Sequence, residues 1–160
     1  MDRLIPVLVL AAVAVAVLLL MRWGWKARQN RQADIPAPQS AEPTDSGYDG
    51  YYIATTFADQ HLERISVHGL GVRTGAGLDI QDDGVVFSLD GRTPFRIPAE
   101  DIVDVFFGSG MIGKFVEKDG IVIIRWNLGD HEVDTGFRPR EHSAKKTIAA
   151  EIEILRGRRR

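Results

Sequence analysis

Gly108-Ser109-Gly110-Met111-Ile112-Gly113 spells G-x-G-x-x-G with Lys114 next, the spacing of a phosphate-binding fingerprint. Such a loop holds a pyrophosphate because a helix opens at its end and turns backbone N–H groups and a positive dipole end toward the anion. Here Phe115 leads within six residues to Lys118-Asp119-Gly120, a turn signature, and no helix fits between. The glycines therefore read as backbone freedom in an inter-strand loop, and no nucleotide or other cofactor is expected. His61 and His68 stand seven apart, but His131 and His142 are distant and no acidic residue has ligand spacing, so no metal is expected. Cysteine is absent and there is no G-x-S-x-G. The carboxylates Asp79, Asp82, Asp83, Asp130 and Asp134 fall in expected turns or on expected solvent-facing strand positions, and no catalytic residue is expected.

Binding chemistry remains. Arg64 and Arg73 lie in the irregular, glycine-bearing stretch Asp59–Gly77 and are suited to an acidic ligand or partner. Met111, Ile112 and Phe115 are apolar residues on the glycine-rich loop, suited to a contact with another surface. These five are the candidate partner contacts.

The elements that must position them read as β. Tyr51–Phe57, Leu78–Ile80, Val85–Leu89, Pro94–Ile97, Ile102–Phe107, Phe115–Glu117, Ile121–Trp126 and His131–Phe137 are short runs rich in β-branched and aromatic residues. Asp-Gly turns at 83–84, 90–91 and 119–120 punctuate them. From Pro139 to Arg156 the period changes: Ala144, Ile148, Ile152 and Leu155 make one apolar helical face, with Pro139 expected in the first turn. The spacing predicts a mainly β unit, a small barrel or sandwich of about seven antiparallel strands capped by one C-terminal helix.

Ahead of this unit, Leu4–Met21 is an unbroken uncharged run. A helix rises about 1.5 Å per residue, so this length approaches the ~30 Å of a hydrocarbon layer. Trp23 and Trp25 follow at headgroup depth together with Arg22 and Lys26, the residues expected at the membrane interface. The basic excess lies C-terminal to the run, which predicts a single-pass inner- or plasma-membrane protein with its N-terminus outside and its domain in the cytoplasm. The alternatives are a domain facing the envelope, as an export-associated accessory, and a cleaved signal peptide. The second would need a small-residue cleavage site beyond the apolar core, yet Ala12-Val13-Ala14 lies inside it.

The organisation expected is an anchor over 1–26, a flexible linker over 27–50 containing Pro36, Pro38 and Pro43, a domain over 51–156 and a basic tail over 157–160. Residues 51–155 carry 17 acidic and 11 basic side chains, a net of −6 within a chain of net −2, which does not fit a nucleic-acid binder.

The strand succession, Phe95-Arg96-Ile97-Pro98-Ala99-Glu100-Asp101-Ile102 entering the middle strand, Asp134-Thr135-Gly136-Phe137 in the last and the closing helix resemble a bacterial pleckstrin-homology-like domain. With the anchor, the chain is similar to a family of small actinobacterial membrane proteins. The resemblance implies a PH-like fold over 51–156 and a non-enzymatic role as a protein-binding or scaffolding module. It transfers no functional residues. Lipid-binding PH domains cluster Lys and Arg around the first hairpin, whereas Asp79, Asp82 and Asp83 stand there, so phosphoinositide binding is not expected.

Overall fold

Hydrophobic runs with two different periods fold here into two compact units, Met1–Asp34 and Ile35–Arg160. The computed structural model describes residues 4–60, 62–111, 114–115 and 119–158. In the first unit, α1 (Leu4–Arg31) continues through the basic flank. Its segment Ile5–Ala27 spans 23 residues, long and apolar enough to cross a membrane. Its Leu and Val side chains are exposed around the helix, the pattern of a helix that meets hydrocarbon as an anchor or as an export signal.

The second unit holds β1 (Gln39–Ser40), β2 (Tyr48–Phe57), β3 (Thr74–Gln81), β4 (Gly84–Leu89), β5 (Phe95–Pro98), β6 (Ile102–Gly108), β7 (Gly110–Met111), β8 (Lys114–Phe115), β9 (Ile121–Leu128), β10 (His131–Pro139) and α2 (Ala144–Gly157). Eight strands form one antiparallel sheet in the order β1-β5-β4-β3-β2-β10-β9-β6, and β7 pairs with β8 as a separate hairpin. Alternation sets the faces. On β9, Val122, Ile124, Trp126 and Leu128 join a single core with Tyr52, Leu78, Phe87, Phe95, Ile97, Val133 and Phe137, so one sheet face wraps around it. Helix α2 buries Ile148, Ile152 and Leu155 in the same core. The mainly β unit closed by a terminal helix is thus the architecture expected.

Two boundaries differ from expectation. Pro139 is the last residue of β10, paired with Gly50, and not a helix opener. The chain then turns, Arg140 N–H donating to Asp49 O at 2.9 Å and Ala144 N–H to Glu141 O at 3.1 Å, before α2 begins at Ala144. Residues 27–50, expected as a flexible linker, divide between the units: 27–31 continue α1, and from Ile35 the chain packs on the β unit as a strap, so that unit begins at Ile35 and not at Tyr51. Ile35 is buried in the core, the ring of His68 hydrogen-bonds the Ile35 carbonyl at 2.8 Å, and Gln39 and Ser40 pair with Arg96 and Phe95. The physical reason is the free edge of β5, whose backbone groups accept any short partner whatever its side chains.

Asp134, grouped by sequence with the solvent-facing carboxylates, is fully buried. Arg125 meets it with a fork, Nε to Oδ1 at 2.8 Å and Nη2 to Oδ2 at 2.9 Å, and also reaches Asp59 at 2.9 Å. The Asp134 hydrogen bond raises the Arg125 guanidinium above its ordinary pKa.

Ile35→Ala removes the strap's only buried anchor among its described residues and should weaken local packing by ~2–4 kcal/mol. Limited proteolysis with mass mapping should then find new cuts within residues 35–47; an unchanged pattern contradicts the anchoring role. Arg125→Ala leaves a buried carboxylate unpaired and should lose ~3–5 kcal/mol in urea unfolding followed by circular dichroism. A loss no larger than the ~1 kcal/mol of a surface pair would show that Asp134 is rehydrated.

Candidate functional site

The sheet face turned away from the core carries three rows of side chains across β6, β9, β10 and β2, and its composition changes from row to row. Their order follows from register: Asp104↔Arg125 and Arg125↔Asp134 define the first, Phe106↔Ile123 and Ile123↔Gly136 the second, Arg138↔Tyr51 the third. The first row is the ion pair of Arg125 with Asp134, and the Arg125 guanidinium also lies 5.3 Å from the Phe106 ring centre.

The second row is apolar. Ile53, Ile121, Ile123 and Met111 form a buried cluster against which Tyr51 and Phe106 pack. Ile53 shares this face with Tyr51 by alternation and sits at a bulge of β2, where Gly136 pairs with Ala54 and Phe137 with Tyr52. Met111 belongs to the β7–β8 hairpin and folds back over the row, only 2 % exposed. Gly136 makes room for it, since a Cβ there would lie 2.7 Å from the Met111 sulfur.

The third row is cationic and aromatic. The Tyr51 ring has the Arg73 guanidinium 5.0 Å from its centre and that of Arg140 at 5.6 Å. Arg138 stands opposite Tyr51 on β10. Arg140 binds the Asp49 carboxylate at 2.6 Å, and this hydrogen bond raises its pKa above the ordinary value. On the other side of Tyr51, β3 presents Gly75, where the Asp90 carboxylate fills the space a side chain would take. The aromatic face and two guanidinia make a cation–π stack, exposed on the Arg73 side.

Of the sequence-derived contacts, Arg73 and Met111 come together through Tyr51, which touches both the arginine and the apolar cluster. Arg64 does not join them. It bridges to Thr56 and donates to Gly71 O at 3.4 Å, inside the β2–β3 loop. Ile112 lies outside the described residues, and Phe115 is described only as backbone in β8. Arg22, Trp23, Trp25 and Lys26 sit on α1, with both indoles exposed. The glycines at 108 and 110 lead from β6 into the hairpin, and among the described residues no helix opens there. Sequence reasoning missed Tyr51, Arg138 and Arg140; the signal available was the alternation Asp49-x-Tyr51 and Arg138-x-Arg140 on two strands.

A second concavity, about 410 Å³, lies beneath the strap between Pro38, His68, Arg92, Pro94 and Phe95. Its walls are joined by Arg92 donating to Gly69 O at 3.3 Å, and they serve the strap's seat.

Gly136→Ala should drive Met111 off the apolar row at ~1–3 kcal/mol of overpacking while the backbone ladder stays. Peroxide oxidation mapped by mass spectrometry should find Met111 protected in the parent chain and readily converted to sulfoxide in the variant. Equal protection in both would place Met111 elsewhere.

A family model described as bacterial PH domain-like matches residues 29–153. No curated protein matches the chain. The match takes in every strand of the sheet and most of α2, and the chain belongs to the bacterial PH domain-like family.

Proposed function

We propose that this chain is a single-pass membrane protein whose PH-like domain is a non-enzymatic protein-binding module on the cytoplasmic side, working as an adaptor or scaffold. The observation that carries the reading is the cationic, aromatic row of the outward sheet face, exposed at Arg73 and Arg140 and set on an apolar cluster that Met111 buries. Arginine and tyrosine are enriched among the residues that carry protein interfaces. Confinement by α1 would raise the effective concentration of a membrane-bound partner without any new contact. The basic and aromatic flank Arg22, Trp23, Trp25 and Lys26 supports the cytoplasmic orientation.

Two measurements test it. The chain lacks cysteine, so Asp45→Cys introduces a single thiol on the exposed strap. In intact cells it should resist a membrane-impermeant maleimide and react after permeabilisation. Labelling of intact cells would put the domain outside and favour an export-associated accessory. A photo-crosslinking amino acid at position 51 should join the chain to one discrete protein in membranes; no adduct above that of a probe at position 158 would defeat the binding role.

A further inference from the structure

The chemistry of the third row narrows what such a partner presents. Arg73 and Arg140 lie over the Tyr51 ring, with Arg138 opposite it on β10, against the two carboxylates of Asp49 and Asp90. Among the described residues Arg73 is exposed and its guanidinium meets the Tyr51 ring without a carboxylate within ion-pair distance. At Gly75, beside Tyr51, the Asp90 carboxylate fills the space a side chain would take, and its charge reaches Arg140. The Asp49–Arg140 pair is open to water, with side chains 67 % and 63 % exposed, so an incoming carboxylate can take over its guanidinium. The domain as a whole is acidic, which makes this row a local reversal of sign.

We propose that the row is the docking site for an extended acidic segment of a partner protein. One Asp or Glu would lie between Arg73 and Arg140 above the Tyr51 ring. This rests on the protein-binding reading above. Arginine suits the task because its planar fork meets a carboxylate with two parallel hydrogen bonds while stacking on an aromatic face. An anionic bilayer is the poorer match. Membrane-binding clusters hold about 4–8 basic residues, and here three arginines face two acids.

The test uses the full chain in nanodiscs of neutral phosphatidylcholine and two labelled peptides, acetyl-Glu-Asp-Glu-Phe-Glu-Asp-Glu-amide and its Gln/Asn counterpart, read by fluorescence anisotropy. The acidic peptide should bind, the neutral one at least about tenfold more weakly, as expected for loss of a charge-assisted contact. Arg73→Gln should weaken acidic-peptide binding by about tenfold and Arg73→Lys by less, while Arg158→Gln, at the far end of α2, should leave it unchanged. Thermal unfolding of Arg73→Gln should match the parent, because Arg73 only stacks on a surface ring. Equal binding of both peptides, or binding indifferent to Arg73, overturns the proposal. Arg73-dependent co-flotation with phosphatidylglycerol vesicles without acidic-peptide binding overturns it in favour of lipid headgroups. A discrete partner crosslinked through position 51 alongside failure of the peptide arm would leave the adaptor reading standing and remove only the acidic-segment claim.

Discussion

Five polar groups in line through the core hold this domain's geometry. Trp126 Nε1 donates to Thr135 Oγ1 at 2.9 Å, Thr135 and Thr55 hydroxyls meet at 2.8 Å, Thr55 and Tyr52 hydroxyls at 2.7 Å, and Tyr52 donates to the Leu70 carbonyl at 2.6 Å. The ends fix the direction. An indole gives only a proton and a carbonyl only accepts one, so each hydroxyl between them accepts from one neighbour and donates to the next. Every member is satisfied, which is the condition under which a buried polar network specifies structure and does not weaken it. Burial raises the Tyr52 phenol above its ordinary value of 10.0, so the relay stays neutral through the physiological range.

The relay needs Tyr52 and Thr55 on the same side of β2. Three residues apart, they would face opposite ways on a regular strand, and the bulge at Ile53 corrects the phase. Tyr51 and Ile53, two apart, turn outward together by alternation, one under two guanidinia and the other under Met111. A straight strand in this place would turn Ala54 inward in place of Thr55 and break the relay.

Strand runs, their turns and the apolar face of α2 were legible because they are periodic: Val122, Ile124 and Trp126 alternate, and Ile148, Ile152 and Leu155 return every turn or so. What was not legible arises where backbone overrides side-chain pattern. The strap from Ile35 has linker composition, yet a two-residue ladder and one buried isoleucine suffice to seat it. Pro139 has the look of a first helical turn, but an antiparallel neighbour at Gly50 keeps it extended. Asp134 alternates like a solvent-facing carboxylate, and only the fork of Arg125 from the adjacent strand makes its burial tolerable. Arg73 and Met111 could be singled out as loop residues. That they share one face could not, because their link is Tyr51, an unremarkable member of a strand.

The placement of Arg73 follows from the same relay. The Leu70 carbonyl that ends it also accepts the Thr55 backbone N–H at 2.8 Å, while Ile65 N–H donates to the Thr55 carbonyl at 2.9 Å. Both sides of the Thr55 backbone are therefore spent on the β2–β3 loop and not on a regular ladder. The loop is thus fixed to the core three residues before Arg73, and the chain leaves Leu70 in one direction, into β3 at Thr74 opposite Tyr52. With Thr74 opposite Tyr52, the residue before it has to rise beside Tyr51 on the outer face. An exposed guanidinium with several rotatable bonds loses much of its freedom on binding; held at its backbone and laid on an aromatic ring, it has less freedom left to lose. The arginine proposed to meet an acidic segment is in this way held in place by a hydrogen bond buried on the opposite side of the sheet.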